Sequence, residues 1–143
     1  MTTGNDGTTM TATERVLAAI GSGMIALGTV LEWIVVNPFH DGAVPMIYLQ
    51  GMSSGTETVG IVLLPAAIAV LVAVALRPER WASALSVGVG VLAVPIVVVH
   101  VASYAEFHWT FVPGPGVAMV LAGGSLLAVV GGRALRRSTA REI

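Results

Sequence analysis

Few side chains in this sequence could do chemistry, and those that could lie in apolar surroundings. Glu32 and His100 are ionisable groups inside otherwise uncharged runs, and Tyr104 follows His100 by one helical turn. A carboxylate facing an imidazole, with a phenol beside them, could move a proton. Placing such a group in hydrocarbon costs at least about 2.5 kcal/mol unless it is paired or wet, so each is a functional candidate by position alone. Counted along ideal helices from Arg15 and Arg80, Glu32 lies about 25 Å and His100 about 30 Å from the nearest arginine, which lets Glu32, His100 and Tyr104 form one polar cluster. The plainer alternative has Glu32 reaching water one turn away and His100 bonding a backbone carbonyl or Tyr104.

Imidazole with carboxylate is also the ligand set of zinc, copper or iron, and His40, His108 and Glu106 are the residues from which such a site would be built. No two histidines have four-residue helical spacing, so loops would have to assemble it, and no metal is expected. The absence of cysteine removes disulfides, thiol catalysis and thiolate metal sites. With no paired acid and base, activated nucleophile or cofactor motif, neither an enzyme nor a cofactor is expected.

The elements that carry these residues are membrane helices. The chain has 143 residues, of which 55% are hydrophobic and 10% charged, against the roughly 25% charged of soluble domains. Leu76-Arg77-Pro78-Glu79-Arg80-Trp81 is a charged turn between two long apolar runs, each able to cross a hydrocarbon layer of about 30 Å. The expected fold is all-α, a transmembrane four-helix bundle with helices at about 15–36, 57–76, 81–104 and 113–132. Residues 1–13 are expected to be a disordered tail without the basic start of a signal peptide, 14–137 the bundle, and 138–143 a second tail. Thr11-Ala12-Thr13-Glu14 and Ser54-Gly55-Thr56-Glu57 have capping-box spacing at helix starts. Of the two connections, the longer contains the apolar stretch Val44 to Leu49, and Glu106 to Val112 alternates as a strand does, so that together they could form a small β-element.

Small residues mark the expected helix contacts: Gly23 and Gly28 in the first helix, Gly90 in the third, and Gly124, Ala128 and Gly132 at four-residue spacing in the last. The last helix is therefore expected to be buried on two sides and to end at Gly131-Gly132. Gly60, Leu71 and Arg77 match Gly116, Leu127 and Arg133 at an offset of 56, the trace of two related hairpins. Pro65 and Pro95 are placed to open a cleft if they kink adjacent helices.

All seven basic residues are arginine, and all fall near one side of the expected spans. Arginines flanking spans are retained in the cytoplasm, so both termini are expected inside and both long loops outside a cell membrane. Trp81 would then sit at the inner boundary, and Trp33, Tyr48, Tyr104 and Trp109 at the outer one. The run from Ala26 to Trp33, the glycine-rich start of the second helix and the closing Pro113-Gly114-Pro115-Gly116 with Gly123-Gly124 and Gly131-Gly132 resemble small four-helix membrane proteins of bacteria and archaea. The loop topology is similar to the claudin-like group, whose outer loops form a sheet, although that group's cysteine pair and glycine-leucine-tryptophan signature are missing. The expected role is an accessory or interaction subunit, partnered by the lipid bilayer and by further copies or a membrane complex, without nucleic acid. The alternative is a small proton-coupled transporter using Glu32; antiparallel pairing, as in small multidrug transporters, is opposed by the one-sided arginines.

Overall fold

Thr11 starts the first helix as its spacing suggests: its hydroxyl accepts the Glu14 N–H at 3.3 Å, and the Glu14 carboxylate accepts the Thr11 N–H at 3.0 Å. Such a cap contributes about 1 kcal/mol. The computed structural model of the protein describes residues 10–43, 54–76 and 80–141. Among these, four α-helices are present: α1 (Ala12–Val30), α2 (Leu63–Leu76), α3 (Arg80–Ser103) and α4 (Pro115–Arg141). Short 3-10 turns at Gly55–Glu57 and Val59–Val62 lead into α2, and another at Ala105–Phe107 follows α3. Strands β1 (Ile34–Val36) and β2 (Phe111–Pro113) pair antiparallel, with Ile34 opposite Pro113, Val35 opposite Val112 and Val36 opposite Phe111.

A small two-stranded sheet is present, but its first strand comes from residues expected to be helical, and of the expected strand from Glu106 to Val112 only Phe111 and Val112 pair, Ala105–Phe107 forming a 3-10 turn. α1 stops at Val30, not Val36, because Leu31 turns extended and caps back onto Leu27 with a 3.0 Å backbone hydrogen bond. The β-branched run Ile34-Val35-Val36 then gains more from a ladder than from two further helical turns. Trp33, between helix and strand, is turned into the bundle. The expected strand from Val44 to Leu49 lies outside the described residues.

Three segments, Val59–Leu76, Arg80–Ser103 and Pro115–Ala140, are long and apolar enough to cross a membrane. The outward faces of α2 and α3 are apolar too: Ile68, Leu71 and Val72 on α2 and Val91, Leu92, Val98 and Val99 on α3 are all exposed. A helix apolar all round is one surrounded by protein or lipid.

α4 is the axis of the packing, lying against both α1 and α3; α2 lies mainly on α1. The contacts are backbone to backbone at glycines spaced by seven. On the α1 side Gly123 meets Gly21 and Gly116 meets Gly28; a Cβ on Gly123 would lie 2.6 Å from the Gly21 carbonyl oxygen, and one on Gly116 2.5 Å from that of Gly28. On the α3 side a Cβ on Gly90 would lie 2.5 Å from the Gly124 carbonyl oxygen and 2.6 Å from the Ala128 nitrogen, and one on Gly131 2.8 Å from the Ser83 carbonyl oxygen. α4 is therefore buried on two sides, but the four-residue series is corrected. Seven residues return to nearly the same face of a helix, whereas two steps of four drift by about 80°, and Gly132 faces open space. Gly23, likewise, meets nothing.

α4 also runs on to Arg141 instead of ending at the glycine pair. Gly131 sits at the α3 contact, and Ala134 beyond it is fully buried, so packing overrides two poor helix formers. At this arginine end Glu14 pairs with Arg137, tying α1 to α4. Arg15 donates to the carbonyls of Val74 at 3.2 Å and Ala75 at 3.1 Å, capping α2 with a cation where its dipole is negative.

Two outcomes follow from these contacts. Gly90→Val is expected to lower stability in thermal melts of the detergent-solubilised protein by about 1–3 kcal/mol or more, whereas Gly132→Ala leaves it unchanged or slightly raised; equal losses would contradict the assignment of faces. Burial works to raise the Glu14 pKa, but the hydrogen bonds from Arg137 and Thr11 outweigh it and hold it below 4.5. A folded-state pKa below the unfolded one means a contribution present above pH 4.5 and lost as pH falls through the folded value. The melting temperature should accordingly drop in that acidic window for the parent, and Glu14→Gln should remove this part of the drop.

Candidate functional site

At the end opposite the arginines, Trp33 is fully buried and organises what surrounds it. Its indole Nε1–H donates to the Gly28 carbonyl at 2.8 Å, closing the end of α1. The ring fits only because its neighbours lack side chains: a Cβ on Gly55 would lie 2.6 Å from the indole nitrogen, one on Gly60 2.7 Å from the far ring edge, and one on Gly116 2.6 Å from Cδ1. Gly60 and Gly116, which pair at the 56-residue offset, thus meet the same indole from two sides. The backbone is held too, since Gly114 N–H donates to Trp33 O at 2.8 Å and Gly116 N–H to Glu32 O at 3.0 Å.

His100 is buried edge-on to this indole, with ring centroids 5.1 Å apart, and Tyr104 lies 5.2 Å beyond it. Tyr104 in turn meets Phe111 of β2, giving a run of four rings from the link after α1 past the end of α3 to the sheet. Each such pair contributes about 0.5–1.5 kcal/mol beyond its buried area. A cavity of about 150 Å³ opens beside the run, walled by Trp33, Ile34, Val101, Ala102, Tyr104, Phe111 and Val112, with His108 at its edge.

His100 and Tyr104 are brought together as expected; Glu32 is not part of the group. Its side chain is exposed because the chain has left the helix by Leu31, and the His100 Nε2 has no hydrogen-bond partner. The facing Glu32–His100 pair is therefore corrected, because the helix that would have aligned Glu32 with His100 ends at Val30. Trp33 does lie at the end expected to be the outer one, but buried among the helices and not on an outward-facing aromatic belt. The nearby glycines were the available signal, legible only once their distances in space are known. Trp109 and Trp81 remain exposed, Tyr104 is half-buried, and Tyr48 lies outside the described residues.

Of the metal candidates, His40 is half-buried with its Nε2 unpartnered, His108 places Nδ1 3.0 Å from the Ala105 carbonyl and leans on Trp109, and Glu106 is exposed. Among the described residues no three His, Asp or Glu side chains form a group that could hold a metal. Pro65 and Pro95 are both exposed, and α3 runs on through Pro95. Of the packing residues, Gly28, Gly90, Gly124 and Ala128 stand at helix contacts, while Gly23 and Gly132 do not. Gly21, Gly116, Gly123 and Gly131 were missed, since a search for four-residue spacing passes over pairs seven apart.

Compared with protein-family models, curated proteins and solved structures, the chain matches none. Its chemistry must be read from the site alone. That site is a rigid aromatic joint with one unpartnered imidazole nitrogen, carrying neither a nucleophile nor a paired carboxylate.

Trp33→Phe keeps most of the ring but removes the N–H that satisfies Gly28. It is expected to cost about 1–3 kcal/mol, read as a lower melting temperature in detergent, and Trp33→Ala more, about 3–5 kcal/mol. If Trp33→Ala melts with the parent, the joint does not hold this end of the bundle together.

Proposed function

We propose that the chain is a multi-pass cell-membrane protein, its four helices crossing the bilayer with both termini cytoplasmic, acting as an accessory or interaction subunit. α1 is the fourth crossing in this reading, its first turn with Glu14 and Arg15 standing outside the apolar layer at the cytoplasmic boundary. The described arginines at helix ends, Arg15, Arg80, Arg133, Arg136 and Arg137, share one end, in keeping with retention on the cytoplasmic side.

The observation that carries the interaction role is the sheet end. It is held firmly and yet exposes aromatic surface: Phe39 is 89% exposed, Trp109 75% and Phe107 50%. Asn37 secures this region, its side-chain amide donating to Trp109 O at 3.1 Å and its backbone N–H to Thr110 O at 2.8 Å. Large apolar groups presented on an ordered support are what a partner surface needs, because little ordering entropy remains to be lost on binding. A transport role draws no support from Glu32, which is exposed outside the helices. The partner is another copy of this chain or a subunit of a membrane complex.

In whole cells, a single cysteine in place of Thr110 should react with an impermeant maleimide and one in place of Thr139 should not; the reverse would overturn the topology. In mild detergent the parent should run larger than a monomer, and Phe107→Ser with Trp109→Ser should return it to monomer size without changing its melting temperature. A parent that is monomeric in gentle extracts would refute the interaction role.

A further inference from the structure

A groove of about 310 Å³ lies between α1 and α2 at the arginine end, walled by Ala12, Val16, Ala19, Leu71 and Val74, with Arg15 among them. Val16 and Leu71 are exposed, so the groove opens onto the outward apolar face of the bundle. Arg15 is not a freely moving surface cation. Its Nε and one Nη are anchored on the carbonyls of Val74 and Ala75, which occupies two of the five donors of a guanidinium and leaves the others available in a fixed orientation. Among the described residues no carboxylate pairs with it, since the adjacent Glu14 turns to Arg137.

We propose that this groove holds an acyl chain of an anionic phospholipid whose phosphate is bound by Arg15. The inference rests on the membrane location proposed above and names a specific ligand for that surface. An apolar trough ending in one held cation matches a molecule with an apolar tail and an anionic head. Guanidinium suits phosphate because its planar donors meet two oxygens at once. The net charge of the head follows from the arginines gathered at this end, which favour an anionic over a zwitterionic lipid.

The test is native mass spectrometry of the detergent-purified chain titrated with phosphatidylglycerol, with phosphatidylcholine and with glycerol phosphate. The parent should retain one phosphatidylglycerol at concentrations where the other two do not bind. Arg15→Gln should weaken retention about tenfold. Ala19→Leu, which narrows the groove and leaves Arg15 in place, should weaken it as well, while Arg133→Gln, away from the groove, should bind as the parent does. The proposal is overturned if Arg133→Gln weakens binding as much as Arg15→Gln, if Ala19→Leu binds normally, or if phosphatidylcholine or glycerol phosphate binds equally well. Alkaline carbonate extraction separates the two levels: a chain released from membranes refutes the membrane location, whereas a retained chain without selective lipid refutes only this site.

Discussion

The fold depends on how closely α4 approaches α1 and α3. In lipid no hydrophobic driving force distinguishes a neighbouring helix from an acyl chain, so association relies on van der Waals packing at short range. Glycine lets two backbones reach that range. Gly116 and Gly123 do so toward α1, and Gly124 and Gly131 toward α3, so adjacent residues serve opposite faces and α4 is gripped from both sides. A Cβ on Gly116, Gly123 or Gly131 would come within 2.8 Å of a backbone oxygen of the facing helix and force the two apart there, while one on Gly124 would meet the Ala93 Cβ at 3.0 Å.

The sheet end follows from the same approach. With Gly28 and Gly116 in contact, the chain leaving α1 passes beneath the start of α4, and the carbonyls of Glu32 and Trp33 find donors in Gly116 and Gly114. Unpaired backbone is costly in or near lipid, and the Ile34–Pro113 ladder completes the pairing where the helix has ended. Trp33 then fills the space between α1, α4 and the glycine turns before α2, with His100 of α3 against its face. Its indole thus joins α1, α3, α4 and the turns leading into α2.

Local signals in the sequence were legible and global ones were not. The Thr11–Glu14 cap, the long apolar helices on either side of the charged turn and the two-sided burial of α4 rest on neighbours in sequence or on one-dimensional periodicity, and each is present. The end of α1 is not decided by its own residues: Leu31 to Val36 is as compatible with a helix as with a strand until β2 is there to pair with it. The same holds for the glycine pair at Gly131 and Gly132, which would end an isolated helix but is carried through by the buried Ala134 and the Arg137–Glu14 pair beyond it. Glu32 fails as a partner of His100 for the first of these reasons, since the helix ends at Val30 and the extended chain turns the Glu32 side chain elsewhere. The Trp33–His100–Tyr104 group draws on α1 and α3, and only the His100–Tyr104 half, four residues apart, was accessible to spacing.

The most direct measurement of the central claim is magic-angle-spinning NMR of the glycine-labelled protein in lipid bilayers, reading through-space contacts between Cα and carbonyl carbons of different helices. The account predicts cross-peaks linking Gly21 with Gly123, Gly28 with Gly116 and Gly90 with Gly124, and none linking Gly23 or Gly132 to another helix. Interhelical cross-peaks from Gly23 and Gly132, with the other three pairs silent, would contradict it.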